Sequence, residues 1–283
     1  MNILLPTDFS KNSGNAIAYA MELFKNEKCD FFFLHTYTPS FYRMDYMLGG
    51  PLFSAIPDSG VDISLAGLEK TLKDVKKTYK NPKHTYTIIS AFNTLTDEIN
   101  EVTVEKEIDM VVMGTQGATG AKEIFLGTNT VYVLHKAIAP VLVIPENYTF
   151  QKIKRILLPS DYLTNYKQNE LSMVLKMAKM NKAELIVLHV KEEYDLTTGQ
   201  PENKMALYKS FAGLSTTFTE LKGSIMPDAI LDYVKNNEID LLMMMNRKHS
   251  FFERLFERQN VDQIGFHIKI PFLVIRDTAK VIK

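Results

Sequence analysis

The stretch "MGTQGATGAKEIFLGTNT", residues 113–130, gathers four of the chain's 13 glycines together with threonines and an asparagine. It lies between an apolar run, "DMVVM", and a helix-like run, "VYVLHKAIAP". The spacing is Gly114-x-x-Gly117, nine residues, then Gly127-Thr128. This is neither the Gly-x4-Gly-Lys-Ser/Thr phosphate loop nor the Gly-x-Gly-x-x-Gly dinucleotide turn. The physics is related. Gly114 and Gly117 have no Cβ, so a ligand can press against backbone and positive φ is open to them. Gly127 and Thr128 open a helix whose first N–H groups and positive dipole end suit a phosphate. The hydroxyls of Thr128 and Thr130 and the amide of Asn129 add donors. A mobile surface loop is the competing reading.

Other polar residues converge on the same place once the chain is seen to be written twice. "NILLPTDFS" at 2–10 returns as "RILLPSDYL" at 155–163, and "CDFFFLHTY" at 29–37 as "AELIVLHVK" at 183–191. "EIDMVVMG" at 107–114 returns as "EIDLLMMMN", and "IAPVLVIPE" at 138–146 as "IKIPFLVIR" at 268–276. The order is kept, which marks an internal duplication. It predicts two domains, 1–147 and 148–283, joined near "PENYTFQK". The first copy is longer between its second and fourth strands, mostly by "TPSFYRMDYMLGGPLFSAIPDSG".

The elements that position these residues follow from periodicity. "ILL", "FFFLH", "HTYTII", "MVVM" and "VLVI" are short apolar runs, as expected of parallel strands buried on both faces. "SKNSGNAIAYAMELFKN" carries Ile17, Ala20, Met21 and Phe24 at helical spacing, with Ser10 or Asn12 as cap. "LTDEINEVTVEKE" is a second helix, facing Ile99 and Val102 inward. Strands and helices alternate, which predicts an α/β fold: two tandem doubly wound five-stranded parallel sheets of Rossmann-like type. In such sheets ligands sit beyond the carboxyl ends of the strands, where strand order reverses. Pro6, Thr7 and Asp8 follow the first strand, His35 and Thr36 end the second, and the glycine stretch follows the fourth. Asp8 is read either as a ligand contact or as a cap for the next helix. His35 and His189 recur at equivalent strand ends and are read as structural, each with one ring nitrogen satisfied by backbone.

Pro6-Thr7-Asp8 after the first strand, with Gly-x2-Gly-x9-Gly-Thr after the fourth, resembles the ATP-binding branch of the universal stress protein family in tandem form. The resemblance covers both copies. It implies that Asp8 sits at the adenine and ribose end and that Thr36 meets adenine through its backbone. It also implies that Gly114, Thr115, Gly117, Gly127 and Thr128 surround ribose and phosphates, and that the chains dimerise. The candidate cofactor contacts are Pro6, Thr7, Asp8, Thr36, Met113, Gly114, Thr115, Gly117, Gly127, Thr128, Asn129 and Thr130. The cofactor expected is ATP, with Mg²⁺ resting on its phosphates and water. The second copy departs from the pattern. Asp161 persists, Thr7 becomes Ser160, Gly114 matches Asn246, Gly117 matches His249, and Gly127-Thr128 becomes Arg258-Gln259. One nucleotide site per chain is therefore expected, in the first domain.

Composition excludes other classes. With 33 basic and 33 acidic residues the formal net charge is zero, unlike a nucleic-acid binder. No run approaches the ~20 apolar residues of a membrane helix. The single cysteine, Cys29, makes no internal disulfide, and "MNILLPTDFS" lacks the basic n-region of a signal peptide, so a cytoplasmic protein is expected. No His/Cys/Asp cluster has metal-ligand spacing. No base is positioned near the glycines, so the expectation is a nucleotide-dependent regulator or interaction module in stress response, not an enzyme. Its rivals are a slow ATPase or phosphotransfer enzyme and a scaffold that binds no nucleotide. "SFYRMDYMLGG" at 40–50 is read as a lid or a dimer contact, and "HSFFERLFERQNV" at 249–261 as a helix packed on its own sheet or a docking surface. A homodimer of tandem chains is expected, with an unidentified protein partner.

Overall fold

The computed structural model describes the chain except for residues 38–58, 116–125, 192–198, 223–225, 248–251, 253–267 and 278–283. The chain divides into two compact units, Met1–Ala121 with Leu126–Phe150, and Gln151–Lys283.

The first unit runs β1 (Asn2–Pro6), α1 (Lys11–Leu23), β2 (Cys29–Thr36), α2 (Ser59–Thr78), β3 (His84–Ala91), α3 (Leu95–Glu105), β4 (Met110–Gly114), α4 (Thr128–Lys136) and β5 (Val141–Ile144). The strands pair in parallel in the order β3-β2-β1-β4-β5, so the order reverses between β1 and β4. β1 and β4 are buried along nearly their whole length, as the apolar runs predict. α1 lies over β1, β4 and β5, while α3 and α4 lie side by side. Ser10 caps α1 by accepting the Ser13 N–H at 3.2 Å. Ile17, Ala20, Met21 and Phe24 face inward, as do Ile99 and Val102. Full burial of such a side chain is worth about 1.5–3 kcal/mol, so these faces hold the helices to the sheet.

The second unit repeats the plan. It runs β6 (Arg155–Pro159), α5 (Gln168–Asn181), β7 (Glu184–Lys191), α6 (Gln200–Ser210), β8 (Thr216–Lys222), α7 (Met226–Asn236), β9 (Leu241–Asn246) and β10 (Phe272–Arg276). Its parallel order is β10-β9-β6-β7-β8. Strand register corrects one expectation. Ile3 pairs with Met110 and Ile156 with Leu241, so Gly114 is level with Met245 and not with Asn246. β9 runs one residue further, Asn246 pairing with Arg276. Phe252 is fully buried. The rest of 249–261, with His249, Arg258 and Gln259, lies outside the described residues save for Phe252, as does 40–50.

Candidate functional site

One wall of the first crevice is the turn after β1. The Thr7 N–H donates to the Leu34 carbonyl at 2.8 Å, extending the ladder past the strand end. Thr7 Oγ1 accepts the Phe9 N–H at 3.0 Å, and Asp8 Oδ1 accepts the Ser10 N–H at 3.1 Å. These bonds stabilise Phe9 in a left-handed conformation, φ 64°, which costs a non-glycine residue about 1–2 kcal/mol. Packing offsets that cost. The Phe9 ring lies 4.4 Å, centroid to centroid, from the His35 ring. Its other contact explains a glycine on α2: a Cβ on Gly67 would come within 2.4 Å of the Phe9 ring. His35 Nδ1 donates to the Thr7 carbonyl at 2.7 Å. A carbonyl only accepts, so the tautomer is set, and the histidine braces the turn from beneath as the sequence reading expected. Burial works to raise the Asp8 pKa, but hydrogen bonds from Ser10 and Ser13 outweigh it and hold the carboxyl below its ordinary value.

The facing wall is the end of β4 and the start of α4. The Gly127 N–H donates to the Thr115 carbonyl at 2.7 Å, closing the neck of the segment between them. Gly127 is the N-cap of α4 and supplies no side-chain hydrogen bond, so the first-turn N–H groups have no side-chain cap. Two expectations change here. The Thr130 hydroxyl is no free donor: it is buried and donates to the Gly114 carbonyl at 3.1 Å. Gly114 is bare for a reason within the protein itself. A Cβ there would stand 2.9 Å from Asn12 Cγ and Oδ1 and 3.0 Å from Nδ2.

Between the walls lies a cavity of about 130 Å³. Of the candidate contacts, Pro6, Thr7, Asp8, Thr36, Met113, Gly114, Asn129 and Thr130 line it. Thr115 and Gly127 form the adjoining neck, and Thr128, exposed, opens α4. Gly117 lies outside the described residues. The sequence reading missed Ser13 and Leu95 as lining residues, and His35, placed at this crevice by the sequence, lines it while bracing the turn. Ser13 was legible as the third residue of a capped helix, and Leu95 as the first residue of the helix after β3. Among the described residues no group of three His, Cys, Asp or Glu is placed to hold a metal ion.

The equivalent crevice of the second unit has the same turn. Tyr162 is left-handed at φ 56°, its ring lies 4.9 Å from His189, and His189 Nδ1 donates to the Ser160 carbonyl at 2.9 Å. The space in front of the turn differs. The cavity is only about 30 Å³, and Tyr166, Met245 and Arg247 line it together with Pro159, Ser160 and Asp161. Four residues of extra chain bring Tyr166 in: the helix cap follows Asp8 at Ser10, but follows Asp161 only at Lys167. The Tyr166 hydroxyl donates to Ser160 Oγ at 3.0 Å. Arg247 makes ion pairs with Glu170 at 3.0 Å and Asp277 at 3.2 Å.

Two doubly wound sets of five parallel strands, each with a crevice where strand order reverses, define a tandem α/β protein built from a duplicated domain. The chain belongs to the universal stress protein family: the family model matches residues 1–145 and again 152–276. Among solved structures, a universal stress protein from Archaeoglobus fulgidus DSM 4304 matches at 20% identity and TM-score 0.71, over 97% of this chain and 98% of its own. A functionally unknown protein from Pseudomonas aeruginosa PAO1 matches at 14% identity and TM-score 0.59, over 97% and 92%. A universal stress protein solved in complex with cAMP matches at 17% identity and TM-score 0.37, over 51% and 96%. Among curated proteins no relative matches. No helix among the described residues is long and apolar enough to cross a membrane.

Proposed function

We propose that the chain binds one adenine nucleotide, ATP, in the crevice of the first domain, residues 1–147, and acts as a nucleotide-dependent regulator or interaction module. One observation carries this reading: a cavity of about 130 Å³ at the strand reversal, with Asp8 on one wall and the α4 N-terminus, without a side-chain cap, on the other. The helix terminus offers N–H groups and a favourable dipole to phosphate. Asp8, ionised at neutral pH, offers two acceptor oxygens to hydroxyl donors such as a ribose diol. The contacts proposed are Pro6, Thr7, Asp8, Thr36, Met113, Gly114, Thr115, Gly117, Gly127, Thr128, Asn129 and Thr130. Any Mg²⁺ is carried by the phosphates and water. The two groups on the lining that could act as bases brace the β1 turn, Asp8 accepting the Ser10 N–H and His35 donating to the Thr7 carbonyl, so ATP turns over slowly or not at all. The domain 148–283 binds none. The reading extends to a cytoplasmic homodimer of tandem chains that engages a further protein.

The test is mass spectrometry of small molecules released on denaturing freshly purified protein, followed by titration with ATP, AMP and cyclic AMP. An adenine nucleotide, bound again on titration and lost with Asp8→Ala, supports the reading. A folded protein that neither carries nor binds any of the three sinks it.

A further inference from the structure

The second crevice is not merely narrower than the first; it is filled by charges of its own. Arg247 is 10% exposed, Glu170 is fully buried, and Asp277 is 8% exposed. Glu170 is the third residue of α5, as Ser13 is of α1, and Ser13 lines the open crevice. A carboxylate thus occupies the helix position where the first domain has a small hydroxyl. Glu170 Oε2 also accepts the Lys167 N–H at 2.9 Å, which fixes it at the helix start. The guanidinium lies 5.0 Å above the Tyr166 ring, so two carboxylates and an aromatic face surround one planar cation. Each of these charges is costly to bury, and the ion pairs offset part of that cost. Met245, level with Gly114, fills the floor.

We infer that the second domain is self-liganded: the Arg247 guanidinium, held by Glu170, Asp277 and Tyr166, is a built-in occupant of the crevice that the first domain keeps open. The chain therefore pairs one domain whose crevice is open with one whose crevice is permanently filled. The filling group comes from the protein's own sequence, so the glycine replaced by Met245 is not the whole of what closes this half. Restoring glycine at the level of Gly114 would leave the crevice shut while Arg247 and Tyr166 remain. This inference needs no nucleotide for its test and stands or falls apart from the reading of the first domain.

An internal ligand can be replaced by an external one. Arg247→Ala leaves two carboxylates facing an aromatic ring, a cage for a free planar cation through forked hydrogen bonds and ring contact. The experiment is peptide-resolved hydrogen exchange on the full chain, wild type and Arg247→Ala, with and without millimolar methylguanidinium. Exchange in β9, β10 and the start of α5 should rise about tenfold or more, with first-domain peptides unchanged. Methylguanidinium should restore it saturably, while equal sodium chloride should not. Unchanged exchange in the variant overturns the inference, as does a rise that methylguanidinium and sodium chloride affect alike. Should Arg247→Ala not fold, Arg247→Lys retains the charge and loses the fork. Raised exchange confined to the second domain then supports the inference, and wild-type exchange overturns it.

Discussion

Gly114→Ala separates two reasons for a bare backbone at the end of β4. The added methyl would stand 2.9 Å from Asn12 Cγ and Oδ1, closer than real Cβ contacts come, and Asn12 is buried. Forcing an extra methyl against packed side-chain atoms costs typically ~1–3 kcal/mol. For a domain of this size each kcal/mol lowers Tm by about 2–4 °C. Asn12→Ala removes all three atoms that the methyl would meet. The cost of Gly114→Ala should then fall below about 0.5 kcal/mol, leaving a coupling of about 1–2 kcal/mol in a double-mutant cycle. Urea denaturation of the four proteins, followed by fluorescence or circular dichroism, measures it. An equal cost in both backgrounds would show that Asn12 is not what demands the glycine. ATP titration of the same four proteins tells whether a ligand also needs that space. Affinity recovering in step with stability assigns the glycine to packing alone.

Three further outcomes are expected. Thr130→Val keeps the shape but leaves the Gly114 carbonyl without its 3.1 Å donor, which should cost about 1–2 kcal/mol in urea denaturation. The Asp8 carboxyl is held below its ordinary value, so the stability it contributes is present above pH ~4 and drains away as pH falls through its folded pKa. Wild type and Asp8→Asn should therefore differ in Tm at pH 6 and converge at acid pH, and a gap that persists in acid would contradict the hydrogen-bonding account. Steady-state hydrolysis of ATP should fall far below the ~10 s⁻¹ of typical enzymes, and a turnover near that value, lost on changing a single lining residue, would mark an enzyme.

Local pattern carried much of this structure into the sequence. The duplicated strand runs, the Ser10 cap and the inward faces of α1 and α3 were legible because each depends on residues a few positions apart. His35 was legible as a brace because it recurs as His189 at an equivalent strand end. What stayed hidden depends on partners far along the chain. Nothing near Gly114 announces that Asn12, on another element, lies against it. Thr130 reads as a free hydroxyl until the Gly114 carbonyl is found above it. "MMMN" and "MVVMG" invite end-to-end alignment, yet the pairing of β6 with β9 slips them by one residue. The filling of the second crevice was the least visible. Tyr166 sits on a short insertion, Glu170 inside an apolar helical pattern, and Asp277 just past β10, and only the folded chain brings the three to Arg247. A lone arginine closing an apolar strand was the available signal.

Isothermal titration of the purified full chain with ATP tests the central claim most directly. The account predicts about one site per chain, lost with Asp8→Ala and unchanged in Arg247→Lys. Two sites per chain would contradict the closed second crevice, and a binding isotherm indifferent to Asp8 would place the nucleotide elsewhere.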